Sequence, residues 1–145
     1  MQFPLHPVII HFPIAFITAA LIFQILHIWR PKWINSSIGL WLIGLSIIFS
    51  LASVLSGQKE MEKAGELGYP IETLKLIERH QTSGNIVAWS SIFFFIVWLY
   101  LFIKYKSNNN LNQLALAFLV LLFIIVMVSG YTGGQLVYIH GVGTP

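Results

Sequence analysis

Four of the five histidines in the chain fall where their imidazole rings could act together on one bound metal or cofactor. They are found near the start, in the middle and near the end of the sequence: His6, His11, His80 and His140. An imidazole is costly inside hydrocarbon, so a histidine at the mouth of an apolar segment calls for a partner. Neutral imidazole also ligates haem iron, copper and zinc. The pattern therefore predicts a metal or cofactor site.

The composition is that of an integral membrane protein. The 145 residues are 57% hydrophobic and 9% charged, whereas soluble domains carry about a quarter charged residues. The mean hydropathy is +0.79. The formal charge is +3, but the basic residues form no patch, so we expect no nucleic-acid partner. Without cysteine, thiolate metal sites and covalent haem attachment through Cys-x-x-Cys-His are excluded.

Four apolar runs reach or approach the roughly 20 helical residues that cross a bilayer core. They cover residues 8–29, 38–56, 86–103 and 114–131. Short polar linkers join the first to the second and the third to the fourth, which favours antiparallel hairpins. We therefore predict an all-α integral membrane four-helix bundle, forming a single domain over residues 1–145, with the lipid bilayer as its environment.

The charges of the linkers indicate how the bundle is oriented. Lys and Arg residues near the helix ends are tied at four on each side. The short linkers, however, contain no acidic residue beside their four basic residues, which are Arg30, Lys32, Lys104 and Lys106. Short basic loops are typical of the cytoplasmic side. We accordingly expect both termini on the outer (periplasmic) side of a bacterial inner membrane, crossed several times.

The long segment between the second and third runs, residues 57–84, is expected to lie on the same outer side. Gly68-Tyr69-Pro70 is a turn signal that should split it into two short helical stretches. The paired Gly133 and Gly134 should break or redirect the fourth helix. The last residues would then fold over the outer surface of the bundle.

Small side chains near the histidines leave room for a flat ligand. Those expected to line the pocket are Ala15, Ala19, Gly84, Gly133 and Gly134. On a helix, His11 shares one face with the first two, and His80 lies one turn from the glycine at 84. We therefore expect His11 to face the bundle interior. Small residues are also the ordinary means by which membrane helices pack closely, without any cofactor.

The residues favour a b-type haem bound non-covalently, with histidines as axial ligands. Imidazoles from two helices would make the iron six-coordinate, and bundle cores hold such cofactors. The preferred pair is His11 and His80, while His6 and His140 are a second ligand set, propionate partners or hydrogen bonders. One haem or two would suit four histidines. His6 is rotated about 140° from His11 on a regular helix, so those two should not hold one ion together.

Two other interpretations stay open. Copper or zinc can bind three or four imidazoles, and the histidines can instead be structural, satisfied by water or backbone carbonyls. With haem, the protein would pass electrons at the outer face between a quinone or other membrane partner and a cytochrome-type carrier. Without it, the protein would be a non-redox metal-binding or accessory subunit. No nucleophile–base pair is visible, so we expect a binding protein rather than an enzyme, and a homo-oligomer is compatible.

Several motifs together resemble a known family. They are His6-Pro7-x-x-x-His11-Phe12-Pro13, Leu55-Ser56-Gly57, His80 with Asn85, and Gly130-Tyr131-x-Gly133-Gly134-x-Leu136-Val137-Tyr138-x-His140-Gly141. The chain resembles the bacterial four-helix membrane family catalogued as domain of unknown function 2231. The resemblance implies an inner-membrane protein without an established activity. Some relatives occur beside or fused to cytochrome-like modules, which favours a redox role.

Overall fold

A computed structural model of the protein describes residues 5–105 and 108–143, which form helices and short connecting turns. The helices, in chain order, are α1 (Leu5–Ile9), α2 (His11–Trp29), α3 (Ser37–Glu66), α4 (Ile71–Tyr105) and α5 (Asn109–Tyr138). The described residues contain no strand. The predicted all-α fold is therefore confirmed.

Four helical segments are long and apolar enough to cross a membrane: Leu5–Trp29, Ser37–Glu66, Ile71–Tyr105 and Asn109–Tyr138. The first joins α1 to α2 through Ile10, three residues before Pro13. A proline inside a helix has no N–H to donate to the carbonyl four residues earlier, which loosens the helix at that point. Each segment contains one predicted run, so the multi-pass membrane architecture is confirmed.

The helices form a ring in which α2 packs on α3, α3 on α4, α4 on α5 and α5 on α2. Short turns join consecutive helices, so neighbours run antiparallel, and α2 lies diagonally opposite α4. We call the end of the bundle that contains His6 and His80 the site end. The end that contains Gln24, His27 and Asn112 is the far end. Both described chain ends lie at the site end.

Large apolar side chains are found on the outer surface of the bundle as well as in its interior. Ile48, Trp89 and Ile124 are exposed on the surfaces of α3, α4 and α5. An apolar surface of this kind suits contact with lipid tails. The interior between the helices is closed by a continuous cluster of buried aliphatic and aromatic side chains.

Two expectations about helix ends are corrected by the structure. α5 continues through Gly133 and Gly134 to Tyr138, because glycine costs a helix only about 1 kcal/mol relative to alanine. The segment 57–84 is not a separate loop but extends α3 and α4 by several turns beyond the predicted runs. The expected turn is present where Gly68 takes a φ of 71°, a left-handed conformation that suits glycine.

Candidate functional site

His6 is held by the end of α3. Its Nδ1 lies 3.0 Å from Oγ of Ser56, and the Ser56 hydroxyl donates to the carbonyl oxygen of Ser53 at 3.0 Å. Because that hydroxyl proton is engaged, Ser56 Oγ acts as the acceptor and His6 Nδ1 donates. In the neutral ring the lone pair therefore falls on Nε2, which forms no hydrogen bond with any described residue.

His80 is held in the same way by α5. Its Nδ1 lies 3.1 Å from the carbonyl oxygen of Ser129 and 3.1 Å from Oγ1 of Thr132. A carbonyl oxygen only accepts, so Nδ1 carries the proton. The Thr132 hydroxyl donates to the same carbonyl at 2.9 Å, which leaves its oxygen as a second acceptor. The Nε2 lone pair of His80 likewise has no hydrogen-bond partner in the described part of the chain.

Each ring also rests against a glycine. A Cβ built on Gly57 would come within 2.9 Å of Cε1 of His6, and one built on Gly133 within 2.9 Å of Cε1 of His80. Any side chain at either position would push the ring away. The two halves of the bundle thus match: each hairpin supplies a histidine from its first segment and a hydroxyl residue followed by glycine from its second. The sequence around them shows no repeat.

The two rings meet between diagonally opposite helices. Their centroids are 6.2 Å apart and their planes are inclined at 82°. A metal held about 2 Å from a nitrogen of each of two opposed imidazoles separates the ring centroids by about 6 Å. The observed separation of the ring centroids is close to this value.

Both rings line a cavity of about 150 Å³. Its wall is mostly apolar and includes residues from every helix and from the C-terminal turn. Glu60 and Gln81 line it near the site end, and Ser50 lines it deeper in the bundle. A cavity of about 150 Å³ accepts a molecule the size of benzene. A larger ligand would require the helices to separate at this end.

His6 and His80 are the two imidazoles that the described cavity wall brings together, and Glu60 adds one carboxylate to that wall. Among the described residues there is no group of three or more His, Cys, Asp or Glu side chains placed to hold a metal ion. Zinc sites use four protein ligands when structural and three when catalytic. A haem carries its own equatorial nitrogens and needs only axial ligands from the protein.

Comparison with known families identifies the chain. A family model described as "Predicted membrane protein (DUF2231)" matches residues 2–145. The chain belongs to this family. No curated protein and no solved structure matches it. The resemblance seen in the sequence motifs is thereby confirmed, and the family's description states a membrane protein without naming an activity.

In this DUF2231 protein, His11 does not face the bundle interior. Its side chain is exposed, and its Nδ1 lies 2.5 Å from the carbonyl oxygen of Pro7, one turn earlier. The structure differs here from the expected orientation, and it places His6 rather than His11 beside His80. Ala15 is exposed and Ala19 half-buried; neither is among the residues that line the cavity.

A polar signal in the sequence fixes which side of this helix faces inward. Gln24 is buried, and its Nε2 donates to the carbonyl oxygen of Asn112 at 2.9 Å. An amide within a membrane segment must face a partner rather than lipid. His6 lies about five turns before Gln24 and therefore on the same side of the helix. His11 is rotated by about 140° from the side on which Gln24 lies.

His140 lies apart from the histidine pair. Its Nδ1 is 3.0 Å from Oγ1 of Thr73 at the start of α4, and the residue is not part of the cavity wall. Gly141, with a φ of 63°, lets the chain turn back so that the Val142 N–H donates to the carbonyl oxygen of Leu136 at 2.9 Å. His140 thus fastens the C-terminal turn to α4.

The three predicted glycines occupy different environments. Gly84 lines the cavity and has no atom near the position of a missing Cβ. Gly133 supports the ring of His80. Gly134 also faces open space but does not line the cavity. The residues that sequence reasoning missed are the hydroxyl supports, Ser56 and Thr132, whose role depends on contacts between helices.

Proposed function

We propose that the protein binds one b-type haem through His6 and His80 and takes part in electron transfer at the site end of the bundle. The observation that carries this proposal is that the two imidazole rings are hydrogen-bonded in the same way and lie close together. Each has Nδ1 engaged as a donor, an Nε2 lone pair with no partner among the described residues, and a ring centroid 6.2 Å from the other. Proteins orient metal-ligating histidines by this kind of hydrogen bond at the second nitrogen.

The number of ligands favours haem over a bare metal ion. Two imidazoles complete the coordination of a haem iron, whereas zinc requires at least one more protein ligand. The matched supports on α3 and α5 suit a flat group that is held from two sides. Apolar walls and four packed helices are the usual surroundings of such cofactors in bundles.

The chain would position the ligands and set the environment of the iron. Ser56 and the Ser129 carbonyl hold the proton at Nδ1 of each ring, which raises the basicity of Nε2. The apolar wall lowers the local dielectric, which tunes the reduction potential. When bound, haem supplies one-electron redox chemistry. A quinone in the membrane and a cytochrome-type carrier outside it are the partners that this location favours.

The cavity sets a condition on this proposal. At about 150 Å³ it is too small to enclose a whole macrocycle, since a space of that size holds a benzene-sized molecule. The helices must therefore part at the site end when haem binds. Gly84 and Gly130 line the cavity without any neighbour near a missing Cβ, so the macrocycle edge would meet least resistance there.

Absorption spectroscopy tests the proposal directly. Protein purified from haem-replete cells, or mixed with haemin, should show a Soret band that shifts on reduction with dithionite. His6→Ala and His80→Ala should each abolish the six-coordinate spectrum, whereas the matched controls His11→Ala and His140→Ala should retain it. A protein that holds no iron and takes up no haemin, or an unchanged spectrum in both His6→Ala and His80→Ala, would contradict the proposal.

The size of the cavity favours a second candidate, a single copper ion between the two imidazoles. Imidazole is a good copper ligand, and the centroids of the two rings are 6.2 Å apart, a distance that one ion between them could bridge. Elemental analysis distinguishes the candidates. Bound copper without a Soret band, lost in both His6→Ala and His80→Ala, would replace haem with copper at the same site.

A further inference from the structure

Three serine hydroxyls inside the bundle have no hydrogen-bond partner among the described residues: Ser46, Ser50 and Ser91. Their exposed fractions are 0%, 3% and 0%. A hydroxyl in a helix can donate to the carbonyl one turn earlier, as Ser53 does to Phe49 at 2.7 Å, but these three do not. Lipid offers no hydrogen-bond partner either. Buried polar groups of this kind normally indicate bound water or another ligand.

Ser50 connects these hydroxyls to the cavity. It lies in the cavity wall together with Val87 and Val126, on the side directed toward the middle of the bundle. Ser46 lies one turn further along α3 from Ser50. The unpartnered hydroxyls therefore continue the line of the cavity inward from the histidine pair.

The packing of α3 against α4 places Ser46 and Ser91 at the same depth. Gly39 of α3 is in direct contact with the indole of Trp98 of α4. Because the two helices are antiparallel, about two turns from this contact along each helix lead to Ser46 and Ser91 respectively. Both are fully buried, so both face the interior at this level.

An apolar layer closes the bundle directly beyond this pair of serines. It contains one buried residue from each of the four long helices, at most 4% exposed: Ala20, Ile43, Phe94 and Leu119. Phe94 stacks on Phe118 at 5.2 Å between ring centroids, which aligns α4 with α5 at this depth. Among the buried residues that the structure describes, the next polar side chains beyond this layer are Gln24 and His27 at the far end.

We propose that the cavity continues as a blind, water-filled half-channel from the site end to Ser46 and Ser91, where the three serine hydroxyls bind internal water molecules. The apolar layer ends it, so water and protons reach the middle of the bundle from the site end but do not cross. A buried water needs two to four polar partners, and the facing serines together with Ser50 supply them. This inference does not depend on haem.

Cysteine accessibility provides the test, because the chain contains no cysteine of its own. The variants are Ser46→Cys, Ser50→Cys and Ser91→Cys, each nearly isosteric with the native residue. The matched controls are Ile43→Cys, in the apolar layer, and Ile48→Cys, which faces lipid on the same helix. Each apoprotein is reacted in nanodiscs with aminoethyl methanethiosulfonate, and the labelling rate is measured by mass spectrometry.

A water-filled half-channel predicts fast labelling at the serine positions. The thiolate is the reacting form, and burial in apolar surroundings suppresses it, so we expect the three serine variants to react at least about tenfold faster than both controls. Rates at all three positions no faster than at Ile43→Cys would overturn the proposal. If the variants fail to fold, hydroxyl-radical footprinting of the unmodified protein decides instead. Leu122 lies one turn from Leu119 along α5, toward the site end. More extensive modification of Leu122 than of Leu119 supports the half-channel, and equal protection of both residues overturns it.

Discussion

At the scale of single residues, the site depends on which nitrogen of each imidazole carries the proton. For His6 the Ser56 hydroxyl accepts from Nδ1 while its own proton is donated to the Ser53 carbonyl, and the backbone of Ser53 also interacts with the ring. For His80 the protonated nitrogen is decided mainly by the carbonyl of Ser129, with Thr132 as an additional acceptor. Each ring therefore faces a hydroxyl residue together with the backbone of the residue three positions before it, Ser53 for His6 and Ser129 for His80.

These matched supports give a prediction for binding. Ser56→Ala removes the side-chain acceptor of His6, and loss of such an outer-shell partner lowers metal affinity by about 10- to 100-fold. Thr132→Val removes the corresponding hydroxyl acceptor of His80 and should lower haemin affinity to a similar extent. Haemin titration followed at the Soret band measures both. Thr18→Val is the control, because Thr18 bonds only to Ile14 of its own helix at 2.7 Å; an equal loss in that variant would argue against the role of Ser56.

The two glycines beneath the rings give a second residue-scale prediction. A methyl group in Gly57→Ala or Gly133→Ala would lie within 2.9 Å of the facing ring and should displace it. The atom met is the end of a side chain that can rotate, so we expect the fold to persist while haemin affinity falls. Circular dichroism and haemin titration separate the two effects.

Gly65→Ala is the matched control for the glycine prediction. Gly65 lies in the same helix as Gly57 but meets no atom within 4 Å of a built Cβ. Its substitution should leave haemin affinity unchanged. Affinity in Gly57→Ala and Gly133→Ala that equals the value for Gly65→Ala would show that contact between ring and glycine has no bearing on binding.

How far the sequence predicts the site is also decided by individual residues. The histidines at the site end were identifiable from their position at the ends of apolar runs. The expected inward orientation of His11 is wrong, because it relied on small neighbours, Ala15 and Ala19, which in a membrane helix can equally face lipid. The buried Gln24 is the stronger guide to the inward side, since an amide cannot face hydrocarbon without cost.

At the scale of helices, the far end of the bundle is fastened by a polar network. Nδ1 of His27 lies 2.8 Å from the carbonyl oxygen of Ile34, and Nε2 accepts from Nδ2 of Asn112 at 3.3 Å. Gln24 donates to the Asn112 carbonyl. The network joins α2 to the following linker and to α5, so it fixes the relative position of three elements.

Removing the central ring of this network should destabilise the protein without affecting the site end. His27→Ala leaves the Ile34 carbonyl and the Asn112 amide without their partner, at a cost of about 1–3 kcal/mol per unsatisfied group. We expect a lower Tm in thermal unfolding and an unchanged haemin affinity. His11→Ala, in which an exposed imidazole is removed, is the control. A Tm equal to that of the control would mean that the network contributes nothing to stability.

The contact between α3 and α4 also depends on a glycine that lies against an aromatic ring. Gly39 touches the buried indole of Trp98, which is stacked on Phe94 at 5.0 Å between centroids. Gly39→Ala would overpack this contact and cost about 1–3 kcal/mol, seen as a lower Tm. Gly44→Ala is the matched control, since its Cβ would lie 3.5 Å from Phe95, an ordinary contact. Trp98→Phe should restore part of the loss, and its failure to do so would contradict the steric explanation.

At the scale of the whole molecule, hydropathy alone predicts the four membrane segments, because each is a continuous apolar run. It does not predict how far the helices extend beyond the bilayer core. Residues 57–66 and 71–84 are polar, yet they hold no proline and continue the helices that precede and follow them. The meeting of His6 with His80 likewise follows from diagonal packing of distant segments, which periodicity within one helix does not reveal.

The orientation of the bundle in the membrane, that is, which end faces the cytoplasm, is a property of the whole molecule that can be tested. The far end holds Arg30 and Lys32 in the linker after α2 and Lys104 in the last turn of α4, without an acidic residue, and Lys106 lies outside the described residues. At the site end, five glutamates offset four basic residues. Lys and Arg in short loops favour the cytoplasm, so we expect the far end to be cytoplasmic and the histidine pair to face outward.

Single cysteines introduced at the two ends of the bundle measure this orientation. Leu67→Cys lies in the turn between α3 and α4 at the site end, and Asn35→Cys lies in the linker between α2 and α3 at the far end. In intact bacterial cells a membrane-impermeant maleimide should label Leu67→Cys, and it should label Asn35→Cys only after permeabilisation. The reverse pattern would place the histidine pair at the cytoplasmic face, and its redox partner would then be a soluble cytoplasmic carrier. The half-channel would open to the cytoplasm in that case.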